Sequence, residues 1–235
     1  MPRPALTRLP SPARTRGVVL LLHGGAQYGE QPITRRSLPH LRMLHLAAVV
    51  HGAAARHGIA VWTLRNRFRG WNAPRLDPVR DARWAMARLR ARHPEVPVAL
   101  VGHSMGGRVA IRLAEDPQVT AVCALAPWTT DAEWVSPLRG VRTLIVHGCE
   151  DDVTSPESSY AFASRAAEVT TVARFELPGE GHRMLRRAPT WNRLVRAFVL
   201  ESFGLAHPDP IVARAWQRTE GDRLRLTVAA GGRTG

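Results

Sequence analysis

The chain has 235 residues, is 45% hydrophobic and carries a formal net charge of +14, which suits one large α/β domain with a sizeable core. No apolar run approaches the length of a membrane span, and the opening residues lack the apolar segment of a signal peptide, so a cytoplasmic protein with no membrane partner is expected. All 33 basic residues are arginine; their spread along the chain reads as a chain-wide bias and argues against a concentrated nucleic-acid surface, so no nucleic-acid partner is expected.

Residues 1–16, rich in Pro and Arg, have no period and read as a flexible N-terminal arm. Gly17 to Leu22 is a short continuous apolar run of the kind a parallel strand covered on both faces requires. It ends in His23-Gly24-Gly25, and a loop follows to Leu38. Apolar residues recur at helical spacing from Pro39 to Arg56, with Gly58 as the stop. Ile59 to Leu64 is the second strand, and the loop from Arg65 to Pro74 holds Phe68 and Trp71. Asp77, as N-cap, and Pro78 open a helix that runs to about His93.

Val96 to Val101 is the next strand. It stops at Gly102-His103-Ser104-Met105-Gly106, and a helical pattern then runs from Val109 to Ala114. Strand, sharp turn and helix lift the serine out of the sheet edge, while the flanking glycines let strand and helix pass closely. Val119 to Leu125 is a fourth strand and Arg142 to Val146 a fifth, ending in His147-Gly148-Cys149-Glu150-Asp151-Asp152. A helix over about Pro156 to Glu168, a strand from Val169 to Leu177, the turn ending Gly181-His182, and a helix over about Thr190 to Phe203 complete the unit. Alternating strands and helices give a mostly parallel sheet with helices on both faces. Residues 204–235 read as a C-terminal tail, with Leu224 to Val228 an alternative edge strand. Cys123 and Cys149 both fall at strand-like positions and read as small buried hydrophobes.

Four strand ends carry the parts of one chemistry, and in an open parallel sheet these ends share one edge. A serine hydroxyl needs a base to take its proton, and the base needs a carboxylate to orient it. His182, on a Gly-rich turn after the last strand, is the candidate base for Ser104. Asp151 is the candidate acid, with Glu150, Asp152 and Asp131 as rivals. Acyl transfer also needs two backbone N–H groups aimed at the developing oxyanion, which Met105 and Gly25 are placed to supply. Trp128 and Trp71, with Phe68 and Met184, lie on loops at this edge and are candidates to bind substrate. His103 is expected to point away from the attacked face, and His23 and His147 to brace loops. No His-Glu-x-x-His or Cys-x-x-Cys spacing occurs, so neither metal nor cofactor is expected.

The elbow Gly102 to Gly107, the His-Gly after the first strand, His147 to Asp151, and Gly181-His182 together resemble the α/β-hydrolase superfamily over residues 17–203. The order Ser, Asp, His is also that family's. The resemblance implies Ser104 as nucleophile, His182 as base and Asp151 as acid, four residues after a histidine as family members commonly place it. It further implies an α/β-hydrolase fold of about six strands, lacking the family's first two strands and any cap domain. The short stretch between Leu125 and Arg142 makes it similar to small, lid-less serine esterases and dienelactone-hydrolase-like proteins, although dienelactone hydrolases proper use cysteine where Ser104 stands. The expected activity is cleavage of an ester, thioester or related acyl bond on a small-molecule acyl substrate. Acyl transfer or cyclisation on a biosynthetic intermediate, and non-catalytic binding on the same scaffold, are the alternatives.

Overall fold

The structure, a computed structural model, describes residues 2–10, 14–205 and 209–228. Its centre is an eight-stranded sheet in the order β1-β3-β2-β4-β5-β6-β7-β8. The strands are β1 Ala5–Arg8, β2 Gly17–Leu22, β3 Ile59–Arg65, β4 Val98–His103, β5 Val119–Leu125, β6 Arg142–Gly148, β7 Val172–Leu177 and β8 Leu226–Thr227. Among the described strands β1 alone runs antiparallel, against β3; the other strand pairs are parallel. The helices are α1 Leu38–Ala54, α2 Asp77–Arg92, α3 Met105–Leu113, α4 Pro156–Ala167, α5 Ala188–Ser202, α6 Ile211–Trp216 and α7 Glu220–Arg223.

The continuous apolar runs explain this layering. Side chains alternate across a strand, so in β2 Val18, Leu20 and Leu22 face one helical layer and Val19 and Leu21 the other. The first layer brings Val79, Met86 and Leu89 of α2, Ile111 of α3 and Phe162 of α4. The second brings Met43 and Val50 of α1 and Trp191, Leu194 and Phe198 of α5. A sheet clothed on both faces has no need of polar alternation, hence GVVLLL buried throughout.

Both ends of the chain depart from expectation. The N-terminal arm contains β1, whose residues Ala5 to Arg8 pair with Arg65 back to Trp62. The sheet is therefore longer than about six strands, and an edge strand precedes Gly17. At the other end the expected tail contains α6, α7 and β8. Val212 and Ala215 pack into the α1/α5 layer, Trp216 donates its indole N–H to Glu201 at 3.1 Å, and Leu226 and Thr227 pair with Phe175 and Glu176. Weak alternation in Leu224 to Val228 concealed this, because an edge strand is decided by its neighbour more than by its own pattern. His207, Pro208 and the final Gly231 to Gly235 lie outside the described residues.

Two boundaries also moved. Leu76, at φ 53°, is the N-cap of α2, and Asp77 instead sits buried in the first turn, where its carboxylate accepts from Asn72 at 2.9 Å and from Arg67 at 3.4 Å. β7 starts at Val172, because Val169 and Thr170 both donate to the Ala166 carbonyl and prolong the end of α4. Cys123 is buried as expected, but Cys149 is exposed in the turn after β6.

Gly106 shows how tightly the elbow is built: a Cβ there would stand 2.2 Å from the Leu22 carbonyl oxygen and 2.7 Å from that of His23. Because the obstruction is backbone, Gly106→Ala is expected to cost about 1–3 kcal/mol in urea unfolding. A wild-type midpoint would contradict this packing.

Candidate active site

Ser104 joins β4 directly to α3 at φ 55°, ψ −120°, a backbone conformation that a non-glycine residue holds only when its surroundings impose it. They do so here: the Ser104 N–H donates to the Leu125 carbonyl at 2.9 Å, and the Ser104 carbonyl accepts from Gly107 at 2.9 Å and Trp128 at 3.2 Å. The side chain stands at the edge of the sheet, only 7% of the residue exposed.

His182 reaches it from the turn after β7. Its Nε2 lies 3.1 Å from Ser104 Oγ, and its Nδ1 lies 2.8 Å from Asp151 Oδ2. Serine, histidine and aspartate thus form one hydrogen-bonded chain drawn from three strand ends. Of the four candidate acids, Asp151 alone pairs with the histidine; Glu150 pairs with Arg186 at the surface.

Asp151 Oδ1 accepts the N–H groups of Val153 and Thr154, each at 2.9 Å. Its Oδ2 faces His147 Nε2 at 3.1 Å and the Thr154 hydroxyl at 2.9 Å, besides His182. Burial pushes the Asp151 carboxyl upward, but the bonds from His147, His182, Thr154 and Val153 outweigh it and hold the group well below the usual carboxylate range. It stays an anion, which is what an imidazole that gains a proton requires.

Three further residues hold His182 in place. His103, buried with its ring centre 4.9 Å from that of His182, donates Nε2–H to the His182 carbonyl at 2.9 Å. Glu180, 1% exposed, accepts from the Trp191 indole at 3.1 Å and the Arg187 N–H at 2.6 Å, so it ties the histidine turn to the start of α5. The Thr154 hydroxyl lies 3.2 Å from His182 Nδ1. Sequence reading missed Glu180 and Thr154; Glu180 sits between two glycines and its partners are seven and eleven residues on, so only the folded turn reveals its use.

Gly25 and Met105 stand beside the serine. Met105 is the first residue of α3, whose N–H has no intrahelical acceptor, and among the described residues no backbone carbonyl takes the N–H of either residue. A Cβ at Gly25 would lie 2.3 Å from the Arg69 carbonyl and 2.4 Å from Met105 Cε. The loop is fixed by neutral His23, which donates Nδ1–H to the Gly24 carbonyl at 2.7 Å and accepts the Asn66 N–H at 3.0 Å.

A cleft of about 800 Å³ opens on Ser104, Gly24, Gly25 and His182. Its walls come from α1 (Leu38, Leu41, Arg42), the histidine turn (Arg183, Met184, Leu185) and Val153. Met184, a predicted lining residue, is among them. Trp71 and Trp128 are not. They meet edge to face at 5.9 Å and clasp the Arg108 guanidinium, whose carbon lies 4.4 and 4.5 Å from the two ring centres. Arg108 and Arg112 in turn pair with buried Glu133, so the two tryptophans pack around this ion pair and do not line the cleft. Phe68 lies under Arg67. Between β5 and β6 the only helical element among the described residues is a single 3-10 turn, Ser136–Leu138. No cluster of three metal-ligating side chains occurs among the described residues, and no helix among them is long and apolar enough to cross a membrane.

The family described as serine aminopeptidase S33 matches residues 65–139, less than half of the chain. Cutinase 1 of Thermobifida cellulosilytica is 34% identical over 101 residues, 42% of this chain and 37% of that protein. Cutinase 2 of the same organism is 33% identical over 140 residues, 54% and 51% of the two chains. The chain thus spans about half or less of the length of the curated relatives it matches. Among solved structures, a putative α/β hydrolase from Agrobacterium tumefaciens superposes with a TM-score of 0.68 at 16% identity, covering 87% of this chain and 94% of that one. An α/β serine hydrolase without a lid from Xanthomonas campestris does so at 0.58 and 19% identity, covering 84% and 88%.

The buried histidines give the site a pH signature. Burial, aided by the charges of His182 and Arg42, lowers His103 to about 3; burial lowers His23 to about 4. An unfolded chain takes up both protons near pH 6.5, so protons favour unfolding below that value and stability is lost as the pH falls from there toward 3. Each histidine is expected to remove about 2 kcal/mol between neutral pH and about pH 5. Urea midpoints measured at the two pH values should fall less in His103→Gln than in the wild type; equal falls would contradict the burial account.

Proposed function

We propose that this chain, which has the α/β-hydrolase fold, is a serine hydrolase that cleaves carboxylic esters through an acyl-enzyme. The observation that carries this reading is the unbroken chain from Ser104 Oγ through His182 to Asp151, at 3.1 and 2.8 Å. In this reading Ser104 Oγ attacks the ester carbonyl carbon while its proton passes to His182 Nε2. The carbonyl electrons move onto oxygen, and the N–H groups of Gly25 and Met105 receive that oxyanion, an arrangement in which one donor is typically worth about 3 kcal/mol. Collapse expels the alcohol, which takes the proton from His182, and leaves the acyl group on Ser104. Water then attacks the acyl carbon, passing its proton to His182, and the second collapse returns that proton to Ser104 and frees the acid.

Ester cleavage is preferred over the aminopeptidase activity in the matched family's description. An aminopeptidase must hold a free α-ammonium group, and among the described residues no Asp or Glu lines the cleft. The likeness to cutinases supports the ester reading. Hydrolysis is preferred over acyl transfer because Leu38, Val153 and Leu185 at the mouth are open to water. A cytoplasmic setting is part of the proposal, supported by two unpaired cysteines, one of them exposed.

Ser104→Ala and His182→Ala are each expected to reduce p-nitrophenyl ester hydrolysis by at least about 10³-fold, and the double variant to be no worse than the poorer single one, because the two act as a unit. Retention of activity in either single variant, or additive losses in the double, would overturn the assignment.

A further inference from the structure

The cleft beside Ser104 has two features that ester cleavage itself does not require. Leu38, Leu41, Val153 and Leu185 are exposed large apolar side chains, and all four line it. Arg42, Arg69 and Arg183 line it as well, and among the described residues none of the three has an ion-pair partner. The arginines approach from three directions: Arg42 from α1, Arg69 from the loop whose carbonyl abuts Gly25, and Arg183 from the position after His182.

Chain-wide arginine enrichment does not account for this arrangement. By contrast, Arg108 and Arg112 share Glu133, and Arg67 and Arg75 share Asp77. Here burial and the charge of Arg183 both work against the charge on half-buried Arg42, and that charge is felt as far as His103. Like charges gathered at an apolar cleft without a counter-ion are unfavourable until an anion joins them. A planar guanidinium matches an oxyanion group, and a singly charged carboxylate loses less hydration than a phosphate dianion on entering between apolar walls.

We propose that the cleft selects esters carrying a carboxylate on an apolar chain, the carboxylate drawn by Arg42 and Arg183 while the chain lies against Leu38, Leu41, Val153 and Leu185. This assignment rests on the serine-hydrolase reading, and it names the substrate class of that same site.

The test compares kcat/KM for the mono-p-nitrophenyl ester of adipic acid with that for p-nitrophenyl hexanoate, which has the same chain length and a methyl group in place of the carboxylate. The wild type is expected to prefer the adipate ester by about tenfold at low ionic strength, with the preference shrinking as salt is raised. Arg42→Gln and Arg183→Gln are each expected to cut the ratio several-fold. Cleavage of the hexanoate ester with no preference for the adipate, or a preference insensitive to both salt and substitution, overturns this inference and leaves the serine-hydrolase reading standing. Cleavage of neither ester overturns both.

Discussion

Parallel pairing is the constraint on which the site depends. β2, β4, β6 and β7 all end on one edge of the sheet, so His23, Ser104, Asp151 and His182 emerge together although they span most of the sequence. Burial of both sheet faces holds the strands in register. With that register set, the elbow has little freedom: β4 hands the chain to α3 through one residue, and Gly106 passes the Leu22 carbonyl where no side chain fits.

Electrostatics is arranged so that one charge is kept and others are suppressed. Asp151 has no exposed side-chain surface, yet five donors converge on its two oxygens. His103 and His23 are buried with neutral partners and stay uncharged, acting as fixed donors and acceptors that brace the two loops flanking Ser104. The Glu180 carboxylate braces the start of α5 by accepting from the Arg187 N–H and the Trp191 indole. Asp151, His103 and Glu180 thus form a hydrogen-bonded shell around the His182 turn. Outside that shell the cleft reverses the pattern, gathering positive charge against apolar walls.

Much of this was legible in the residues themselves. Continuous apolar runs marked the strands of the inner sheet, and Gly-x-Ser-x-Gly between a strand and a helix marked the serine. Asp151 and His182 stood out because they close strands that topology must bring to the same edge. The edge strands did not stand out: β1 lies in a Pro- and Arg-rich stretch, and β8 is two residues long, so both exist through their partners. Trp71 and Trp128 fall outside the cleft because loop position alone does not say which way a ring turns; both rings pack against Arg108 on the elbow helix α3. The cleft was hidden for the same reason, since Leu38, Arg42 and Leu185 meet only when α1 and the histidine turn pack across the sheet edge.

The central claim is that Ser104 is a nucleophile made reactive by His182. Its most direct measurement is peptide mass mapping after exposure of the folded protein to a fluorophosphonate at neutral pH. The account predicts a single phosphonyl adduct on Ser104, absent in Ser104→Ala. No adduct, or one that persists in Ser104→Ala, would contradict it.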